Sequence, residues 1–303
     1  MSTKGSVRAV IFALGGNLLI ATIKYIVSFV TGSAAMLAES IHSTADSLNQ
    51  VLLLIGNKRS KKQPDELHSF GYSKEIFFWS MIVAVLLFFV GALFSIYEGI
   101  NKLSHHERVE NAMWIFIIIG SSIIIEGKSF HVAYTEFRKS NRHPLFKAIR
   151  ESTDVNLVVI LLEDFAALVG LVIVLLSTVL ALFVHPLFDA IGSIMVGILL
   201  LVISIILIGE VKNLIIGESI PRDQRNKIKQ ILHSHREIRH INRMQTMVMG
   251  NHRYLVLISI DVDDSLTGYK IENLIEKLKT EIRKETEDIE NIYIEVKDSV
   301  RNQ

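Results

Sequence analysis

From Val7 to Ile208 the chain alternates long apolar runs with short polar stretches, and each run except the fourth, whose purely apolar part is short, is long enough for a hydrocarbon core that requires about 20 residues. The pattern predicts six membrane helices, from about Val7 to Val30, Ala34 to Gly56, Glu75 to Ile100, from near Asn111, from Ser152 to Val184, and from Leu187 to Ile208. Thr31-Gly32-Ser33 separates the first two, and the third contains an uncharged stretch from Ile76 to Tyr97. The fourth carries Glu126, Lys128 and His131 in its second half, which places that half at a solvated or ion-paired cytosolic end, or against the bundle.

After Pro221 the pattern changes to that of a soluble module. Ile228, Ile231 and Leu232 share one face of a charged helix, about Arg222 to Ser234. Met244 to Met249 reads as a strand, Gly250-Asn251 as a turn, and Tyr254 to Val262 as a second strand ending in strict alternation. Ile271, Leu274, Ile275, Leu278 and Ile282 mark an amphipathic helix, and Ile292, Ile294 and Val296 a last strand. The fold class is therefore an α-helical membrane protein: a six-helix bundle over residues 1–220, then a small cytosolic α+β domain of αββαβ order over residues 221–303. A module of that size is near the lower limit for a self-sufficient core, which favours dimerisation through it.

The loops set the orientation. Lys4 and Arg8 flank the N-terminus, Lys58, Arg59, Lys61 and Lys62 follow the second helix, and Arg138, Lys139, Arg142, Lys147 and Arg150 follow the fourth. The loop after the third helix has only Lys102 and Arg108, set among Glu107 and Glu110. By the positive-inside rule both termini are cytoplasmic in a multi-pass protein, with the cell (inner) membrane as the expected location. No A-x-A-like cleavage site follows Met1-Ser2-Thr3-Lys4, so no signal peptide is expected.

Composition agrees: 50% of residues are hydrophobic and the net charge is +1, with no basic cluster to suggest nucleic acid. There is no cysteine, so any metal site must use His, Asp or Glu.

The second helix is the unusual one. Glu39, His42, Asp46 and Asn49 fall within about 80° of one helical face. Such a face could form a polar seam between helices, but a seam needs no carboxylate, and an intramembrane acid is a functional hypothesis by default. His42 and Asp46 stand one turn apart and can reach one small ion. Only the fifth helix offers further carboxylates at a suitable depth, Glu163 and Asp164; ion pairing with Lys24 or Lys128 is their structural alternative. Nitrogen and oxygen donors from two helices suit a tetrahedral site, with Zn²⁺ the best fit when a histidine takes part. The same ligands bind protons competitively, which suits metal–proton exchange.

Ala13 to Asp46 resembles the first two helices of the cation diffusion facilitators, through the Asn17 and Lys24 spacing, the Thr31-Gly32-Ser33 turn and the His42-x-x-x-Asp46 pair. Asp65 to Glu75 resembles that family's signature before the third helix, and Asp189-Ala190-Ile191-Gly192-Ser193 the start of its sixth. The run His42 to Gln50, then Pro64-Asp65 and Phe77-Phe78-Trp79-Ser80, is most similar to the branch containing a mitochondrial zinc transporter. The resemblance implies a homodimeric, proton-coupled exporter of a divalent metal, with His42, Asp46 and Asp164 as ligands. The family's histidine four positions before the helix-five aspartate is here Ile160, with Glu163 as the nearby substitute. A carboxylate-rich site would shift preference toward Mn²⁺ or Fe²⁺. In the loop after helix two Asp65 and His68 match a secondary metal site of some relatives, with Tyr72 in place of a further histidine. His233, His235 and His240 are the cytosolic histidines in question, and read as ordinary surface residues.

The metal is cargo and the protons its counter-ion, so no cofactor is expected; the partners are the ion, the lipid bilayer and a second copy of the chain. An enzyme is not expected, since no His-Glu-x-x-His motif, Ser/His dyad or Gly-rich phosphate loop stands out. A membrane metal sensor signalling through the cytosolic domain is the alternative class.

Overall fold

The computed structural model describes residues 3–31, 34–104, 112–140, 148–149, 152–286 and 288–298. Gly32-Ser33, Glu107, Arg108, Glu110, Asn111, Arg142, Lys147 and Arg150, which the sequence reading used, lie outside the described residues. The chain forms two compact units, Met1–Arg150 with Asp154–Lys212, and Asn213–Gln303 with Glu151–Thr153.

The first unit is helical. It contains α1 (Thr3–Thr31), α2 (Ala34–Arg59), α3 (Glu75–Leu86), which continues through a π-helical stretch, Leu87–Leu93, into α4 (Phe94–Ser104), then α5 (Ala112–Ser140), α6 (Val155–Phe183) and α7 (Leu187–Ile216). Among the described residues five spans are long and apolar enough to cross a membrane: Ala9–Ile26, Glu75–Leu103, Phe116–Lys139, Val155–Phe183 and Leu187–Ile216. α2 is also long but interrupts its apolar surface with Ser43, Asp46, Ser47, Asn49 and Gln50. Large apolar side chains such as Phe89, Leu176, Val202 and Ile205 face outward, while Asn17, Lys24, Ser43, Asn49, Gln50 and Asp164 are buried. That inverted distribution is the one a lipid solvent selects, because polar side chains are costly against hydrocarbon.

Small residues set the helix spacing. α1 packs on α2 and α5, α5 on α6, and α2 on α3. A Cβ added at Gly56 of α2 would lie 2.8 Å from Trp79 Cβ. At Gly99 of α4 it would lie 2.6 Å from Ile194 Cγ1 and 3.0 Å from the Ala190 carbonyl of α7. Gly197 of α7 meets Ile96 and the Ala92 carbonyl at the same two distances, so α4 and α7 approach nearly backbone to backbone. Lys102 bridges Asp189 at 3.0 Å and Glu98 at 3.5 Å at one end of this seam.

α6 begins where Asp154 Oδ1 accepts from the Leu157 amide at 3.4 Å, a side-chain N-cap, so the helix starts later than the Ser152 expected from hydropathy. α7 extends past the expected Ile208 to Ile216, since Glu210 and Lys212 end the apolar run without breaking the helix. It ends at Gly217, whose φ of +117° few other residues tolerate.

The second unit has α8 (Arg222–Ser234), β1 (Ile238–Gly250), β2 (Arg253–Val262), α9 (Gly268–Glu285) and β3 (Ile289–Val296), the αββαβ order expected. The sheet order is β1-β2-β3, with β1 antiparallel and β3 parallel to β2. Tyr254, Val256, Ile258, Ile260 and Val262 alternate onto the face that joins Ile228 and Leu232 of α8 and Leu274, Leu278 and Ile282 of α9 in the core. β1 starts earlier than Met244 because its first half is bulged, between Ile238 and His240 and between Ile241 and Arg243, which erases the period-two signal.

Candidate metal centre

Helical periodicity puts the polar face of α2 against its neighbours, and buried amides follow the acid. Asp46 is half-buried, and Asn49 and Gln50, three and four residues later, are 5% and 0% exposed. Lys24 of α1 donates to Ser43 Oγ at 2.8 Å, one turn before Ser47. The side chains of Glu39 and His42 lie outside the described residues.

On α6, Asp164 is 2% exposed and its Oδ2 accepts from Ser129 Oγ of α5 at 2.7 Å. Glu163, about 100° around the helix, turns to α2 instead. Its Oε1 accepts from Asn49 Nδ2 at 2.8 Å and its Oε2 from Gln50 Nε2 at 3.2 Å. Gln50 Oε1 in turn accepts from Asn17 Nδ2 of α1 at 3.3 Å. The two adjacent acids therefore serve two different neighbours, and neither is paired directly with Lys128, which is exposed.

Of the two placements open to the second half of helix four, Glu126 takes the one against the bundle, not the solvated end. It lies in the middle of α5, half-buried, and within electrostatic reach of Asp164, Asp46 and Lys24. Glu163 is similarly within reach of Asp46, Asp164 and Glu126. Ser122, Glu126, Ser129 and Ala133 follow helical spacing on one face, and Ser122, Ser129 and Ala133 are buried. That spacing was legible in the sequence, but the nearby Lys128 and His131 masked it; both are exposed. Among the described residues no three His, Asp or Glu side chains are arranged to hold a metal ion, a set that excludes the His42 imidazole.

The loop after α2 does bring its predicted pair together. His68 Nδ1 lies 3.3 Å from Asp65 Oδ1, and the His68 amide donates to the same oxygen at 2.8 Å. Asp65 Oδ2 accepts from the Tyr72 hydroxyl at 2.6 Å and from Lys62 Nζ at 3.2 Å. The Tyr72 hydrogen bond first, then His68 and Lys62, hold this exposed carboxyl well below the usual carboxylate range. An ammonium thus already neutralises Asp65. In the cytosolic unit His233 and His240 are exposed, while His235 is buried, its Nδ1 3.0 Å from the Ile231 carbonyl and its Nε2 3.5 Å from Glu281.

Residues 10–214 match the cation efflux transmembrane domain, and residues 220–299 match the cytoplasmic domain of cation efflux proteins. The chain belongs to the cation efflux family. That family, also called the cation diffusion facilitators, consists of transporters rather than enzymes. This cation efflux protein is 35% identical over 298 residues to a Xenopus laevis protein named proton-coupled zinc antiporter SLC30A9, mitochondrial, covering 96% of this chain and 53% of that one. It is 33% identical over 265 residues to metal tolerance protein C4 of Arabidopsis thaliana, covering 86% and 58% of the two chains. Against the manganese efflux system protein MneP of Bacillus subtilis the identity is 23% over 289 residues, covering 95% of each. The chain spans 53% and 46% of the Xenopus and human zinc antiporters it matches, about half of their length.

Proposed function

We propose that this protein exports a divalent metal cation, zinc first, from the cytoplasm in exchange for protons, as a homodimer that alternates access to a site between α2 and α6. His42, Asp46 and Asp164 are the proposed donors. The observation that carries the reading is Asp164, buried at 2% exposure in a 29-residue apolar helix and within reach of a further acid on α5. An ionised carboxylate so placed is expensive unless a cation or proton compensates it. Asp46, Glu126, Glu163 and Asp164 against the buried ammonium of Lys24 suit alternate occupation by a divalent ion and by protons. The names of the Xenopus and Arabidopsis relatives support metal handling, and the former supports zinc–proton antiport.

Orientation with both termini in the cytoplasm rests on the basic loops. A mitochondrial membrane, named for the antiporters, stands beside the cell membrane as a location. The homodimer is supported by the open face of the cytosolic sheet, where Leu257 and Tyr293 pair across β2 and β3 and remain 40% and 51% exposed.

A second reading, manganese as the cargo, is favoured by the same surplus of carboxylates and by the relative named for manganese efflux. Proteoliposomes carrying the full chain decide between them. Zinc uptake driven by a pH gradient and abolished by a protonophore is expected. Manganese uptake without zinc uptake would select the second cargo, and zinc flux indifferent to the gradient would contradict proton exchange.

A further inference from the structure

We propose that Glu163 is a positioning residue, the acceptor of a two-amide clamp that registers α2 against α6, and does not itself ligate the ion. The inference deepens the reading above and rests on its site between α2 and α6.

The geometry divides the work of the two adjacent acids. Asp164 turns to Ser129 on α5, whereas both oxygens of Glu163 accept from α2, Oε1 from Asn49 at 2.8 Å and Oε2 from Gln50 at 3.2 Å. One such bond would let α2 pivot about it. Two bonds, from consecutive residues to the two oxygens of one carboxylate, fix translation and rotation together. Gln50 also accepts from Asn17 at 3.3 Å, so the same contact ties in α1. Asn49 and Gln50 stand one turn beyond Asp46, and Glu163 immediately precedes Asp164, so the clamp lies beside both acidic donors without replacing either.

The donor chemistry fits a positioning role. Neutral amides satisfy a buried carboxylate without adding a cation that would repel a divalent ion nearby. Each Glu163 oxygen keeps a second lone pair, so the clamp acts by fixing where the carboxylate points: swinging it off α2 toward an ion would strand the amides of Asn49 and Gln50, buried at 5% and 0% exposure. The clamp also explains why the side chain at 163 need not occupy the helix-five register of a ligand at 160.

The test exchanges the partners. In full-length protein, Glu163→Leu removes both acceptors and breaks the clamp. The pair N49D/E163Q rebuilds it without a carboxylate at 163: the amide at 163 donates to the carboxylate at 49, and its carbonyl still accepts from Gln50. Calorimetric zinc affinity and proteoliposome zinc flux are measured for both, with Asp164→Asn alongside. The clamp predicts a fall in kcat/KM of about tenfold or more for Glu163→Leu, and recovery to within about threefold in the pair. Loss of affinity that the pair does not recover would make Glu163 a ligand and overturn the proposal; native affinity and flux in Glu163→Leu would overturn it too. Should Glu163→Leu fail to assemble, an assembled and transporting pair supports the clamp, and failure of the pair overturns it. Native zinc affinity in Asp164→Asn would instead remove the site on which the inference rests.

Discussion

Ser129 Oγ donates a 2.7 Å hydrogen bond to Asp164 Oδ2, joining α5 to α6 at the most buried acid of the candidate site. Ser129→Ala removes a donor from a buried carboxylate, at a cost of about 1.5–3 kcal/mol. Zinc KM in proteoliposomes is expected to rise roughly tenfold or more, with the helix content of the protein unchanged by circular dichroism. An unaltered KM would show that Ser129 does not hold Asp164 in its working position.

Gly99 and Gly197 give the α4–α7 seam its closeness. Because a Cβ at Gly99 would meet the backbone nitrogen of Ile194 at 2.9 Å as well as a side chain, the strain cannot be relieved by a rotamer change. Gly99→Ala is expected to destabilise the protein by about 1–3 kcal/mol, read as a lower thermal midpoint in detergent. Gly15, with nothing near its Cβ position, is the matched control, and Gly15→Ala is expected to leave the midpoint nearly unchanged.

The loop network of Lys62, Asp65, His68 and Tyr72 carries a pH signature. The Asp65 carboxyl is held below its ordinary value, chiefly by Tyr72. Its contribution to loop order is therefore complete above the unfolded value near about pH 4 and disappears only as pH falls through the lower folded value. Protection of the His68 amide against hydrogen exchange should stay level from pH 7 to roughly pH 4 and fall below it. A loss of protection already above pH 5 would contradict this account.

Leu257 and Tyr293 test the assembly. Leu257→Asp places a charge at the middle of the exposed apolar sheet face. The full chain is expected to move from dimer toward monomer by light scattering, while the cytosolic core of Ile260, Leu278 and Ile282, on the other face, stays folded.

The membrane helices were legible because each is a long apolar run, and the order of the cytosolic elements because most carry one dominant period. The expected bounds failed where another device set them: the Asp154 cap, the continuation of α7 through Glu210 and Lys212, and the bulges of β1. At the site, Asp46 and Asp164 stood out as acids in apolar helices. Glu126 did not, because two exposed polar neighbours made its half of α5 look solvated. The partners of Glu163 were hidden for another reason. Asn49 and Gln50 come from α2, with Gln50 itself held by Asn17 of α1, and no periodicity within α6 reports which face meets an amide.

The most direct test of the site is pH-driven zinc flux in proteoliposomes reconstituted with the native chain, Asp46→Ala and Asp164→Ala. The account predicts flux in the native protein and its loss in both variants, with each still eluting as a folded dimer. Full flux in both variants would contradict it, and would return Asp46 and Asp164 to a structural seam between α2, α5 and α6.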